Sequence, residues 1–238
     1  MTSLIRNQSH NNKIITLYLP NLKVIRKFSY HSSGIVKLKK ELKGWTWYQN
    51  KIKQKIISNV KISRSSMILD IKRIEGKVVN YNQSIIKTKK YLFNIIDHYK
   101  KIWDTENFFI PSHGDLTLDN IIINKKKIYI IDWEHFEIVG KDKGFDIAYL
   151  IFSALLLPNK KSFPNNKEIN EASKLWYYLL KKKCINKDDY LNPIKFFEKN
   201  ISKKWLVKNK IKWNKIIFSL ISKRKLYEIQ KKLLNNLI

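Results

Sequence analysis

Pro111-Ser-His-Gly-Asp115-Leu-Thr-Leu-Asp119-Asn120, followed after a short interval by Ile131-Asp132-Trp133-Glu134, is the stretch on which the reading of this chain turns. Between the two lie Ile121-Ile-Ile123 and Ile128-Tyr-Ile-Ile131, flanking the turn Asn124-Lys-Lys-Lys127. Two β-prone runs around a polar turn predict a β-hairpin. Such a hairpin leaves from Asn120 and brings Asp132 back to the same end, so a carboxylate at Asp115, an amide oxygen at Asn120 and a second carboxylate at Asp132 can converge on one point. Hard oxygen donors of this kind suit Mg²⁺, which takes one or two carboxylates alongside waters and substrate phosphates. Phosphoryl transfer has matching needs: a cation on the phosphate oxygens, side chains to hold it, and a separate Asp to position the attacking hydroxyl and accept its proton.

Working outward, Lys13-Ile-Ile-Thr-Leu-Tyr-Leu19, Pro20-Asn21 and Leu22-Lys-Val-Ile-Arg-Lys-Phe28 read as a strand, a turn and a strand. After a polar break at Ser29 to Gly34, apolar residues at Val36, Leu38, Leu42, Trp45, Tyr48 and Ile52 recur at three-and-four spacing, which predicts an amphipathic helix over 35–57. Ser66 to Ile71 reads as a strand closed by Glu75-Gly76, and Ser84 to Trp103 again has helical period. The first 76 residues thus read β, β, α, β. Helices dominate after Gly76, apart from the hairpin already described, and 167–238 reads as a helical terminal region with a loop at Asn192-Pro193.

The spaced residues resemble the aminoglycoside phosphotransferase and choline kinase family, small-molecule relatives of the protein kinases. His113-Gly114-Asp115 with Asn120 reproduces that family's H-G-D-x-x-x-x-N loop, and Ile131-Asp132-Trp133-Glu134, with its Asp twelve residues after the Asn, is similar to its I-D-W-E. Gly144-Phe-Asp146-Ile-Ala148 resembles the G-x-D-x-A segment that opens the next helix. The resemblance implies an α+β, two-lobed, protein-kinase-like fold, with a small β-rich lobe at 1–76 and a larger, mainly helical lobe at 77–238. It implies an ATP-dependent kinase acting on a hydroxyl of a small molecule, with GTP left open as the nucleotide.

By the same resemblance Asp115 is the catalytic base, Asn120 and Asp132 hold Mg²⁺, Asp146 braces the catalytic loop through backbone N–H groups, and His113 packs beneath it. Glu134 either orients a metal-bound water or substrate hydroxyl, or pairs with one of the many Lys. In this fold a strand Lys contacts the α and β phosphates and is held by a helix Glu, which makes Lys27 and Glu41 the candidates. Arg26 and Lys27 are adjacent, so they point to opposite faces of their strand and only one can serve; Lys27 is preferred. Leu69 to Gly76 resembles the family hinge, where the backbone of Lys72, Arg73 and Ile74 would read the adenine edge. No Gly precedes Gly34, so a glycine-rich phosphate-covering loop is not visible, and Ser3, Ser9 and nearby backbone are left for that task.

Composition bounds the alternatives. The chain has 238 residues, 44% of them apolar, and a net charge of +29 with a pI near 10. That length supports a real core and excludes wholesale disorder. A strongly positive field attracts anionic partners and repels polycations. Yet forty-three of the basic residues are Lys and five are Arg, with three Ala in the whole chain. Arg is the residue favoured for bidentate phosphate and base-edge contacts, so the charge reads as compositional drift more readily than as a nucleic-acid footprint. Nucleic-acid binding, and a pseudokinase that has lost nucleotide, are the rival readings. The positive field disfavours polycationic aminoglycosides as acceptors and favours a sugar or anionic glycan precursor of the cell envelope. Choline or ethanolamine would call for an aromatic cage with acids, whereas Trp176, Tyr177, Tyr178, Trp205 and Trp213 read as core. One cysteine, Cys184, excludes a disulfide framework. The longest apolar stretch, Ile147 to Leu157, is eleven residues, short of the ~20 needed to span a bilayer. The expectation is a cytoplasmic protein without a signal peptide, with peripheral contact to an anionic membrane left open.

Overall fold

The computed structural model describes residues 6–9, 13–80, 82–103, 109–159, 163–201 and 223–235. The chain divides into two compact units, one formed by the described residues of Met1–Gly76 with Ile131–Glu137, the other by those of Lys77–Ile130 with Ile138–Ile238.

The first unit is built on a five-stranded antiparallel sheet of β1 (Arg6–Ser9), β2 (Ile14–Leu19), β3 (Val24–Ser29), β4 (Ile57–Ile62) and β5 (Met67–Lys72), in the order β1-β2-β3-β5-β4. Helix α1 (Ser32–Ile52) crosses it. Its buried positions Gly34, Leu38, Glu41, Trp45 and Tyr48 follow the helical period and form one stripe. Ile14, Leu38 and Met67 make a buried cluster flanked by Ile35, Leu42 and Val60. The helix stops at Lys53, which takes a left-handed φ of 53° and donates its N–H to Gln49. The helical pattern read through residue 57 therefore overran, and Ile57 begins β4 instead. That strand was missed in the sequence because its register shifts between Ile57 and Asn59, and a bulge destroys the alternation by which strands are recognised.

In the second unit, β8 (Ile121–Asn124) and β9 (Lys127–Ile130) form the hairpin, extended by the short β6 (Lys77–Val78), while β7 (Phe109–Ser112) pairs with β10 (Glu137–Asp142). Neither β7 nor β10 stood out in the sequence: β7 is four residues with Pro111 inside it, and β10 is interrupted by Gly140. Helix α3 (Phe145–Leu156) is buried at every position, as a helix apolar on nearly every face must be, and its buried Asp146 and Ser153 are hydrogen-bonded. It packs on α2 (Ile85–Trp103), α4 (Asn166–Lys181) and α6 (Pro193–Ile201); α5 (Lys187–Leu191) and α7 (Lys223–Asn235) complete the bundle. The Asn192-Pro193 break is the step from α5 to α6. Asn165 caps α4 by accepting from the Glu168 N–H, and Glu168 reciprocates.

Assigning 131–137 to the first unit differs from a single boundary at Gly76, and the reason is aromatic. Trp133 is fully buried and packs against Trp45, Tyr48 and Phe136, with ring centroids 6.4, 5.0 and 5.8 Å away. Gly44 permits this approach: a Cβ there would sit 2.5 Å from the Trp133 Cβ and 3.0 Å from the Phe136 Cβ. Both atoms lie next to the main chain and cannot swing away. Gly44→Ala is expected to push the segment off α1 and destabilise the protein by about 1–3 kcal/mol, read as a lower denaturant midpoint with an unchanged slope. Among the described residues, no helix is long and apolar enough to cross a membrane.

Candidate functional site

In the first unit, the register of β3 against β5 sets the roles of the two adjacent cations. Arg26 lies opposite Asp70 and grips it bidentately, Nε to Oδ1 at 2.7 Å and Nη2 to Oδ2 at 2.8 Å. That pair occupies one face of the sheet, so Lys27 looks to the other, toward α1. Its Nζ donates to Glu41 Oε1 and to Asp132 Oδ1, both at 2.7 Å. Burial alone would draw the ammonium down, but Glu41 and Asp132 outweigh it and hold its pKa above the usual lysine value. Glu41 is wholly buried and shares Oε1 with the Trp45 indole N–H at 3.3 Å, while its Oε2 is buried without a hydrogen-bond partner among the described residues. An acid inside an apolar helical stripe is thus explained by the lysine it faces.

Asp132 has a left-handed φ of 63°. Asp tolerates this region better than most residues, yet it is sparsely populated and marks functional turns. Glu134 pairs with Lys37 Nζ at 3.3 Å and His135 Nε2 at 3.1 Å. Against its burial, His135 and Lys37 keep its carboxyl below the usual range.

In the second unit, the catalytic-loop candidate is held from below by one carboxylate. Asp146, in the first turn of α3 and 1% exposed, accepts the His113 N–H at 2.7 Å on Oδ2 and the Gly114 N–H at 2.9 Å on Oδ1. Gly114 has a φ of 82°, a conformation other L-residues adopt only with strain. His113 is fully buried, and its Nδ1 accepts the Asp115 N–H at 3.3 Å. The ring thereby orders the loop. Asn120 donates Nδ2–H to the Asp115 carbonyl at 2.8 Å. Only the amino end of an amide can donate to a carbonyl, so the amide oxygen of Asn120 is the end not used on Asp115.

Sequence reading overlooked Tyr149. It is 3% exposed, its phenol is pushed well above its ordinary pKa by burial first and by the Asp115 carboxylate second, and its one available signal was its place a single helical turn after Asp146. It also overlooked Gly44, whose importance lies in a contact with residues far along the chain.

The structure thus gathers Lys27, Glu41 and Asp132 in one unit, and His113, Asp115, Asn120 and Asp146 in the other. For Mg²⁺ the fit rests on donor chemistry: Asn120 presents an amide oxygen by elimination, and Asp132 a carboxylate with a side chain 41% exposed. Both are the hard oxygen ligands the ion takes. Among the described residues, no three His, Cys, Asp or Glu side chains are grouped as a metal-holding cluster.

The hinge candidates separate. The Lys72 N–H donates to the Ile56 carbonyl at 2.9 Å, and the Arg73 N–H to the Lys23 carbonyl at 2.8 Å. These two N–H donors are spent on the sheet and are not available to adenine. The Ile74 N–H makes no hydrogen bond among the described residues. The Arg73 side chain lies over the Tyr18 ring, 4.7 Å from its centroid, and donates to its hydroxyl at 2.6 Å. Ser3, Trp205 and Trp213 fall outside the described residues; the Ser9 backbone belongs to β1. Trp176 is fully buried, with its indole N–H on the Tyr190 carbonyl at 3.0 Å, whereas Tyr177 is 49% exposed.

No protein-family model matches the chain. Among curated proteins it is 37% identical over 102 residues to the Protein LicA homolog of Mycoplasma capricolum subsp. capricolum. The aligned stretch covers 43% of this chain and 40% of that protein. Among solved structures, the GDP complex of the aminoglycoside 2′-phosphotransferase-IIIa superposes with a TM-score of 0.59 at 11% identity, covering 100% of this chain and 93% of that one. The streptomycin–ATP–APH(2″)-IIa ternary complex gives 0.53 at 13% identity, covering 99% and 92%. WbdD gives 0.51 at 11% identity, covering 96% and 50%. At such identities the property held in common is architecture, and this chain has the α+β, protein-kinase-like fold of the aminoglycoside phosphotransferases.

Proposed function

We propose that the protein is a phosphotransferase that moves the γ-phosphoryl group of ATP to a hydroxyl of a small molecule. The observation that carries the reading is Lys27, a charged and mostly buried lysine held at 2.7 Å by both Glu41 and Asp132. Three ionic groups so placed cost desolvation free energy that apolar residues would not, and a phosphate-binding lysine accounts for them. The fold, and solved neighbours whose names include GDP and ATP complexes, support the same reading.

In this mechanism Asp115 receives the proton of the acceptor hydroxyl as its oxygen bonds to the γ-phosphorus and the bond to the leaving diphosphate breaks. Lys27 meets the α and β phosphates with Glu41 as its counter-charge. Ile74 offers its N–H to the adenine edge. Asn120 and Asp132 would hold Mg²⁺, which when bound neutralises charge on the phosphate oxygens. Asp146 and His113 keep the loop in shape.

The acceptor class follows from charge. A net charge of +29 favours an anionic acceptor such as a sugar phosphate or glycan precursor and repels polycationic aminoglycosides. Nucleotide consumption with Mg²⁺ should rise with phosphorylated sugars; turnover confined to choline, ethanolamine or aminoglycosides overturns that class. Thermal denaturation separates the enzyme from a pseudokinase. Mg²⁺ with ATP at 100 times its Kd should stabilise the fold by about 2.7 kcal/mol, and no shift at millimolar nucleotide argues for the pseudokinase.

A further inference from the structure

We propose that the Arg73 side chain is a specificity determinant for the nucleotide, raising affinity for guanine nucleotides relative to adenine ones through its stacked guanidinium. The inference rests on the reading of Lys27 as the phosphate-binding lysine. In the sheet of the first unit, Thr16, Lys27 and Leu69 are cross-strand partners, and Tyr18, Ile25 and Ile71 form the next such row on the same side. Partners across an antiparallel pair share a face, and so do residues two apart along a strand. The second row therefore lies on the Lys27 face, about 7 Å further along the strands. Arg73 continues it. Its N–H on the Lys23 carbonyl, at 2.8 Å, carries the pairing of β5 with β3 one residue past Lys72. Alternation then returns its side chain to the face of Ile71 and Tyr18, where its contacts are found.

On that face the guanidinium is held in place. It lies 4.7 Å from the Tyr18 ring centroid and donates through Nη1 to the Tyr18 hydroxyl at 2.6 Å. An arginine already stacked and hydrogen-bonded loses less freedom on meeting a ligand than a loose one. Among the described residues Arg73 has no ion pair and no other side-chain hydrogen bond, so its remaining N–H donors are open to a ligand. With phosphates at Lys27 and a base edge at the Ile74 N–H, a nucleotide runs along this face toward Arg73. The two purines offer different groups to such donors. Guanine presents two adjacent acceptors, O6 and N7, whereas adenine sets an amino donor at N6 beside N7. A guanidinium fork matches the first pair with two hydrogen bonds and opposes a donor with a donor in the second.

Titration calorimetry of the full chain with Mg²⁺ and GTP, and with Mg²⁺ and ATP, tests the assignment in wild type, Arg73→Met and Arg73→Lys. Arg73 is exposed, so both substitutions leave the packed core untouched. Arg73→Met is expected to lower the ratio of GTP affinity to ATP affinity by on the order of 10-fold, while the Kd for ATP moves by no more than about threefold. Arg73→Lys keeps the charge but loses the planar fork, and should lower the ratio as well. A ratio unchanged in Arg73→Met overturns the proposal, and so does an equal loss of both nucleotides, which makes Arg73 a support for Tyr18 only. The full wild-type ratio in Arg73→Lys overturns the forked contact and leaves charge alone. Binding of ATP without GTP in the wild type overturns the proposal and leaves Lys27 as the phosphate lysine. Binding of neither nucleotide defeats that underlying reading, and the proposal with it.

Discussion

Asp115→Ala is expected to reduce phosphoryl transfer by about 10²- to 10⁴-fold, the range general-base catalysis supplies, with nucleotide-induced stabilisation nearly intact. The structure explains why the two effects separate. The loop is held through main-chain atoms: the His113 and Gly114 N–H groups on Asp146, the Asp115 N–H on His113, and the Asp115 carbonyl on Asn120. Removing the Asp115 carboxylate leaves each of these in place. Asp132→Ala is different. Its carboxylate is a partner of Lys27 and a proposed Mg²⁺ ligand, so nucleotide stabilisation should fall together with turnover. Measuring kcat and the nucleotide-dependent melting shift on both variants separates the roles. Unchanged turnover in Asp115→Ala would end the case for it as the base.

Lys27→Met is expected to have the second large effect, on stability as well as activity. Glu41 is wholly buried and one of its oxygens already lacks a partner among the described residues. Without the ammonium it becomes an uncompensated buried carboxylate, a loss of about 3–5 kcal/mol. For a chain of this size that lowers Tm by on the order of 10 °C. Glu41→Gln introduced with Lys27→Met removes the stranded charge and should recover much of the stability. It should not recover nucleotide binding or turnover, since the phosphate contact is gone. Calorimetry on the single and double variants, with and without Mg²⁺ and ATP, checks both halves; a double variant as unstable as the single would show that packing, and not charge, accounts for the loss.

The parts of this protein legible from sequence are those whose physics is local. The helical stripe of α1, the hairpin of β8 and β9, and the apolar run that becomes α3 follow from periodicity, because side chains three and four apart, or two apart, must share a face. The spacing from His113 through Asp115, Asn120 and Asp132 to Asp146 carried the fold for a similar reason. A loop, a hairpin and a helix start need fixed numbers of residues, so their geometry is written in the intervals.

Contacts between distant segments are a different matter. Adjacency showed that Arg26 and Lys27 face opposite ways, but which one meets Glu41 depended on the pairing of β3 with β5, where Asp70 claims Arg26. Residues 131–137 belong with α1 because Trp133 fits where Gly44 has no side chain, a match between positions some ninety residues apart. The spent N–H groups of Lys72 and Arg73 are of the same kind. Local pattern selects the elements and the chemistry they carry. Which donor, acceptor or void each side chain meets is settled when the sheet and helices pack, because close packing and hydrogen-bond saturation are satisfied across the whole unit at once.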